Sequence, residues 1–256
     1  MNIIDTHAHY DHRQYDKDRE QVLATMPQNG VDAVVNVGCD LKSSKVSVAL
    51  AEAHPFVYAT VGVHPHDAKS LTEQGLQSLK KLCSTKKVVA YGEIGLDFYH
   101  NFSEPDVQRY WFKRQLELAG EVGKPVVIHT RDAAEETYDL IKNSYANTRG
   151  GVVHSFSGDA KLAHLYIDLG FYIGIGGVIT FDKTSRMQSV VEAIPLDKIL
   201  LETDAPYLTP VPFRGKRNNS SYLLHVVAAI AKIKGLSCED VCVKTSENAR
   251  KLFNIV

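Results

Sequence analysis

The chain has 256 residues, 44% of them apolar and 23% charged, proportions of an ordinary globular protein that exclude the disordered and fibrous classes. Twenty-nine Lys and Arg stand against 30 Asp and Glu, a formal net charge of -1. The chain therefore lacks the global positive field of nonspecific nucleic-acid binders and must meet an anionic substrate with local groups.

The first residues, Met1 to His7, enter a strand-like segment with no basic n-region or apolar h-region, and no apolar run has membrane-spanning length. Cys39, Cys83, Cys238 and Cys242 are scattered without a C-x-x-C pair and read as reduced core thiols. Together these features point to a cytoplasmic protein with no membrane partner.

Short β-branched runs then alternate with segments of helical spacing, the signature of βα units around a parallel sheet. In chain order they are strand Ile3 to Thr6, helix Asp16 to Met26, strand Ala33 to Val37, helix Ser43 to Ala53, strand Val57 to Val61 and helix Leu71 to Leu82. Strand Val88 to Tyr91, helix Glu104 to Glu121, strand Val126 to Thr130, helix Ala133 to Lys142, strand Val152 to Phe156 and helix Lys161 to Leu169 follow. Strands Phe171 to Ile175 and Ile199 to Thr203 precede the irregular Ala205 to Asn219, and helices Ser220 to Lys234 and Glu239 to Phe253 close the chain. Ser43, Ser103 and Ser237 supply hydroxyls ahead of helices, and Pro105 suits a first turn. Trp111, Phe112, Leu116 and Leu118 form a core stripe.

Eight strands in about 250 residues predict an α/β (β/α)8 TIM barrel, a single domain over residues 1–256. A doubly wound sheet is the alternative, but no early Gly-x-Gly-x-x-Gly turn supports it. Gly170, Gly174, Gly176 and Gly177 do not fit that motif and read as backbone permissiveness around a strand end.

The chemistry concentrates at strand ends: His7 and His9 after the first strand, Glu93 after the fourth, His129 on the fifth, His154 on the sixth and Asp204 after the eighth. In a barrel those ends converge on one face. His7 and His9, two apart on an extended chain, point to the same side. A single such histidine is as readily a hydrogen-bonded core residue. Six together would bury uncompensated charge at several kcal/mol each, which a divalent cation offsets. Mixed nitrogen and oxygen ligands suit Zn²⁺, Mn²⁺ or similar ions, whereas all-oxygen sites are usual for Mg²⁺; composition alone leaves the metal open among the three. Six ligands exceed one tetrahedral ion, so a pair about 3.5 to 4 Å apart is the economical reading, with Glu93, hedged by Gly92 and Gly95, as the bridge. Asp97 reads as orienting neighbouring groups.

The chain resembles the TatD family of metal-dependent hydrolases, the TatD-type deoxyribonucleases among amidohydrolase-like barrels. The resemblance spans nearly the whole chain. It rests on Asp5-Thr6-His7-Ala8-His9, Gly62-Val63-His64-Pro65-His66, Gly92-Glu93-Ile94-Gly95-Leu96-Asp97, His129-Thr130-Arg131, His154-Ser155-Phe156-Ser157-Gly158 and Glu202-Thr203-Asp204-Ala205-Pro206-Tyr207-Leu208. It implies one ion on His7, His9, Glu93 and Asp204, a second on Glu93, His129 and His154, and hydrolysis of DNA phosphodiesters. It also implies that Asp204 takes the proton of the attacking water.

Around this set, Arg131 follows His129 by two residues and aims a guanidinium at a substrate phosphate, or else forms a structural ion pair. His64 contacts substrate, with His66 a weaker candidate, and Glu202 orients a ligand histidine or forms a buried ion pair. Arg214-Gly215-Lys216-Arg217 is the dense basic run, with Arg214 its best phosphate contact. Tyr207 and Phe213 flank it and either pack in the core or stack on unpaired bases; His12 could line the mouth. His54, His100, His164 and His225 default to surface or packing roles. The leading function is a metal-dependent DNA exonuclease acting on single strands or frayed ends. The alternatives are an amide or ester hydrolase on the same site, and a noncatalytic nucleic-acid- or metal-binding protein. No protein partner or oligomeric state is legible.

Overall fold

The computed structural model describes residues 2–144 and 149–255. Its strands are β1 (Ile3–Ala8), β2 (Val31–Val37), β3 (Val57–Val61), β4 (Val88–Asp97), β5 (Val126–Arg131), β6 (Gly151–Val153), β7 (Tyr172–Ile175) and β8 (Ile199–Leu201). Its helices are α1 (Arg19–Thr25), α2 (Leu41–Ala53), α3 (Glu73–Leu82), α4 (Pro105–Val122), α5 (Ala134–Ser144), α6 (Ala160–Asp168), α7 (Arg186–Ala193), α8 (Leu223–Lys234) and α9 (Cys238–Phe253). The strands stand in the sheet in chain order. Ala8 and Ala205 form a parallel bridge, and Asp204 N–H donates to the His7 carbonyl, so the end of the chain's last strand meets its first. This is the (β/α)8 class, and the chain-order sheet excludes a doubly wound one.

The chain forms two compact units. The first comprises residues 1–36, 155–168 and 172–256. There α9 covers β1 and β8 with Val241, Cys242, Ala249 and Phe253. Asn248 Nδ2 donates to the carbonyls of Leu196 and Ile199, fixing the entry to β8. Ser237 caps α9 as expected, in a reciprocal capping box with Asp240. Residues 205–219 are irregular, as read from the sequence.

The second unit comprises residues 37–154 and 169–171. Its α2 is capped by Asp40, so Ser43 sits inside the helix as the reciprocal partner and not ahead of it. Pro105 opens α4, but Ser103 does not cap it; its hydroxyl donates to the His66 carbonyl and accepts from Lys69 N–H. Phe112, Leu116 and Leu118 are buried, whereas Trp111 is half-buried. The same helix buries two glutamines. Gln115 accepts from Val63 N–H and donates to Val63 O, and Gln108 does the same with Asp97 while also reaching Ser103 O. Each amide replaces a missing neighbour strand where a strand gives way to loop.

Other boundaries move too. β4 runs on to Asp97, where the alternating pattern ends at Tyr91, so Glu93 lies within the strand. Glycine makes this extension fit: a Cβ at Gly95 would come within 1.9 Å of the His129 carbonyl oxygen. His154 lies just past the short β6, and His7 lies on β1. The sequence patterns leave the β7–β8 connection without a helix, and α7 occupies it. It has only eight residues, and Asp182 caps it from outside by accepting Met187 N–H. Cys83 and Cys242 are buried thiols as expected, whereas Cys39 and Cys238 are half-buried.

Gln115→Leu would leave the N–H and carbonyl of Val63 buried without partners. Urea unfolding is expected to show a loss of about 1–3 kcal/mol with an unchanged m-value.

Candidate metal centre

In the first unit, β1 delivers His7 and the residue after next delivers His9 to the same side. Their Nε2 atoms lie 3.1 Å apart. Asp204 Oδ1 is 3.3 Å from His9 Nε2 and 3.8 Å from His7 Nε2. Asp204 adopts a left-handed φ of 55° just after Thr203, which turns the chain there while its N–H holds His7 O. Two ring nitrogens this close to one another and to a carboxylate oxygen are a donor set that suits a divalent cation.

Beneath this set lies Asp5, whose only signal in the chain is its place in the Asp5-Thr6-His7 run. Its carboxylate accepts from the N–H groups of His7 and Thr203 and from the hydroxyls of Thr203 and Ser220. Burial pushes its pKa up to about 6, against the pull of those hydrogen bonds. Ser220 bonds Tyr10, and Asn218 donates to the carbonyls of Thr203 and Tyr207, so one buried network joins β1, the end of β8 and the irregular loop. Glu202 is buried too, with Oε1 accepting Ser155 N–H at 2.6 Å. Gly174 makes room for it, since a Cβ there would lie 2.4 Å from Glu202 Oε2.

In the second unit the centre is Glu93. Its Oε1 faces His129 Nδ1 at 3.1 Å, His64 Nε2 at 3.7 Å and His154 Nε2 at 4.0 Å. Cys39 Sγ donates toward Oε2 at 3.6 Å. His129 is held from behind: its Nε2 is 3.1 Å from Asp97 Oδ2, which also meets His66 Nε2 at 2.9 Å. Asp97 Oδ1 accepts the N–H groups of Tyr99 and His100. A carboxylate behind an imidazole fixes its tautomer and aims its other nitrogen forward, as for a metal-ligating histidine. Burial opposes charge on Asp97, but hydrogen bonds from His129, His100 N–H and His66 outweigh it and hold its pKa well below the carboxylate range. Burial likewise opposes charge on His129, yet Asp97 and Glu93 raise its pKa. At His64 burial and the neighbouring His129 outweigh the pull of Glu93 and hold the pKa well below the ordinary histidine value.

Each unit thus assembles its own part of the sequence-derived set: His7, His9 and Asp204 in one, Glu93, His129 and His154 in the other. His64 joins the Glu93 cluster. Cys39, read as a core thiol, also belongs there; the signal available was its place just past β2, a strand end like the others.

The cations rest on partners outside these clusters. Arg131 stacks on Tyr99, its guanidinium carbon 3.9 Å from the ring centroid, with Nη1 3.3 Å from His100 Nε2. Arg214 is exposed, lies over Phe181 and donates to Thr209 O. Arg217 forms an ion pair with Asp18, so that part of the basic run is structural. Tyr207 bonds His12, and Phe213 stacks on Tyr222 at 4.4 Å, the packing role weighed for it.

A model of the TatD-related DNase family matches residues 4–254. The uncharacterized metal-dependent hydrolase YabD of Bacillus subtilis is 41% identical over 253 residues, 99% of both chains. The 3'-5' ssDNA/RNA exonuclease TatD of Erwinia tasmaniensis is 35% identical over 248 residues, 94% of this chain and 96% of its own. The crystal structure of YJJV, a TatD homologue of Escherichia coli, superposes with a TM-score of 0.94 at 31% identity, covering 99% of this chain and 98% of that one.

Asp97→Ala removes the group that orients His129. Divalent-metal affinity, measured by competition with a chelating dye, is expected to fall about 10- to 100-fold.

Proposed function

The chain belongs to the TatD-related DNase family and is a metal-dependent hydrolase, and on that footing we propose that it hydrolyses DNA phosphodiester bonds from an end, acting on single strands or frayed ends. The observation that carries this reading is the gathering of three imidazoles on one oxygen of the buried Glu93. His7, His9, Glu93 and Asp204 would hold one divalent ion, and Glu93, His129 and His154 a second, from among Mg²⁺, Mn²⁺ and Zn²⁺. Such ions, when bound, supply Lewis acidity that makes water a nucleophile near neutral pH and neutralises charge on phosphoryl oxygens.

The protein's own groups supply positioning and proton transfer. Asp204, 18% exposed where Glu93 is 4% exposed, accepts the proton that water loses as it attacks phosphorus. Glu93 would be the carboxylate that the two ligand sets share. His64, with Arg131 and Arg214, contacts the phosphate, and Glu202 orients His154 by holding the N–H of the next residue. A nucleic-acid substrate accords with the relative named as an ssDNA/RNA exonuclease. The same reading puts the enzyme in the cytoplasm, where its cysteine thiols stay reduced.

The test is hydrolysis of end-labelled single-stranded DNA by chelated enzyme titrated with each of the three ions. Progressive shortening is expected, abolished by chelator and reduced about 10²–10⁴-fold in Asp204→Ala, with Glu93→Ala also inactive. Undiminished shortening in chelator, or in either variant, would refute the assignment.

A further inference from the structure

The segment just past β4 carries chemistry that the ligand set does not use. Tyr99 and Phe102 are 58% and 56% exposed, an unusual position for two aromatic rings three residues apart. Each has one side backed. The Arg131 guanidinium lies over the Tyr99 ring, and His100 stacks on Phe102 at 5.2 Å and 8°. His66 packs edge-on against both His100 and Phe102. Lys69 Nζ donates to Phe102 O at 2.8 Å, placing a second cation beside the rings.

The segment is also tied to the candidate centre. Asp97, which orients His129, accepts the N–H groups of Tyr99 and His100 with its other oxygen. The two exposed rings therefore stand at a fixed position relative to Glu93 and His129, within the second unit.

We propose that Tyr99 and Phe102 form a stacking shelf for nucleobases of a single-stranded nucleic acid, with Arg131 and Lys69 meeting the adjoining phosphates; this rests on the phosphodiesterase reading above. Flat exposed rings accept any base by its π-face, and interleaved cations follow the backbone, the combination by which proteins hold single strands with little sequence preference. Paired bases hide their faces in the stack, so the shelf selects unpaired strands or frayed ends. A lipid surface or an acidic peptide would satisfy the cations but would not use two rigid aromatic faces in this way.

The experiment uses the metal-loaded full chain and nuclease-resistant phosphorothioate strands, one with bases and one of the same length made of abasic sites, with binding read by fluorescence anisotropy. The wild type is expected to prefer the base-bearing strand. Tyr99→Ala and Phe102→Ala should each weaken that binding about 5- to 150-fold while leaving abasic-strand binding in place. Tyr99→Phe and Phe102→Trp should retain the preference. Tyr110→Ala, which removes an exposed ring from α4, should change nothing. Equal wild-type affinity for the two strands, or unchanged binding in both alanine variants, would overturn the shelf. Base preference without shortening of DNA would remove the exonuclease reading and leave the shelf standing; shortening without base preference would do the reverse.

Discussion

Burying a carboxylate costs several kcal/mol unless donors or cations meet it, and four are buried here: Asp5 and Glu93 within strands, Asp97 at the end of β4 and Glu202 just past β8. The site's construction follows from how each is met. Asp5 draws in backbone N–H groups and hydroxyls from β1, the end of β8 and the following loop, so its satisfaction holds Thr203, and through it Asp204, in register with His7. Asp97 is met by two backbone N–H groups on one oxygen and two imidazoles on the other. Glu202 takes the N–H that follows His154. Glu93 differs in kind, because the groups facing its oxygens are histidines and a cysteine, side chains that bind metals.

Holding those carboxylates requires the backbone to come close without clashing. Gly95 lets β4 approach β5 where a Cβ would strike the His129 carbonyl, and Gly174 leaves space filled by Glu202. On the outer side, Gln108 and Gln115 of α4 satisfy peptide groups of Asp97 and Val63, where strand pairing no longer does. A helix that reads as a hydrophobic stripe thereby also fixes two segments of the candidate centre.

The cations divide by partner. Arg217 is paired to Asp18, whereas Arg131 and Arg214 rest on aromatic rings. Beyond the one nitrogen that Arg131 turns to His100 and Arg214 to Thr209 O, a guanidinium on a ring keeps in-plane donors that a carboxylate ion pair would consume.

Strand number, the α/β alternation and the six candidate residues of the two clusters were legible in the sequence because each depends on local pattern: β-branched runs, helical spacing, and chemically reactive residues near where those runs end. His7 and His9 could even be placed on one side, since period two is fixed by strand geometry. Short elements escaped. α7 has two turns and takes its cap from Asp182, outside the helix, and β4 continues past Tyr91 only because its glycines fit against β5. The partners of Asp5, Cys39, Asp97 and Gln115 were not legible either. Ser220 lies 215 residues from Asp5 in the chain, and no periodicity relates them. Hydrogen bonds between residues so far apart exist only once the strands are paired. The sequence by itself determined which elements form and which ligand chemistry they carry, whereas the tertiary structure decided which buried charge meets which donor.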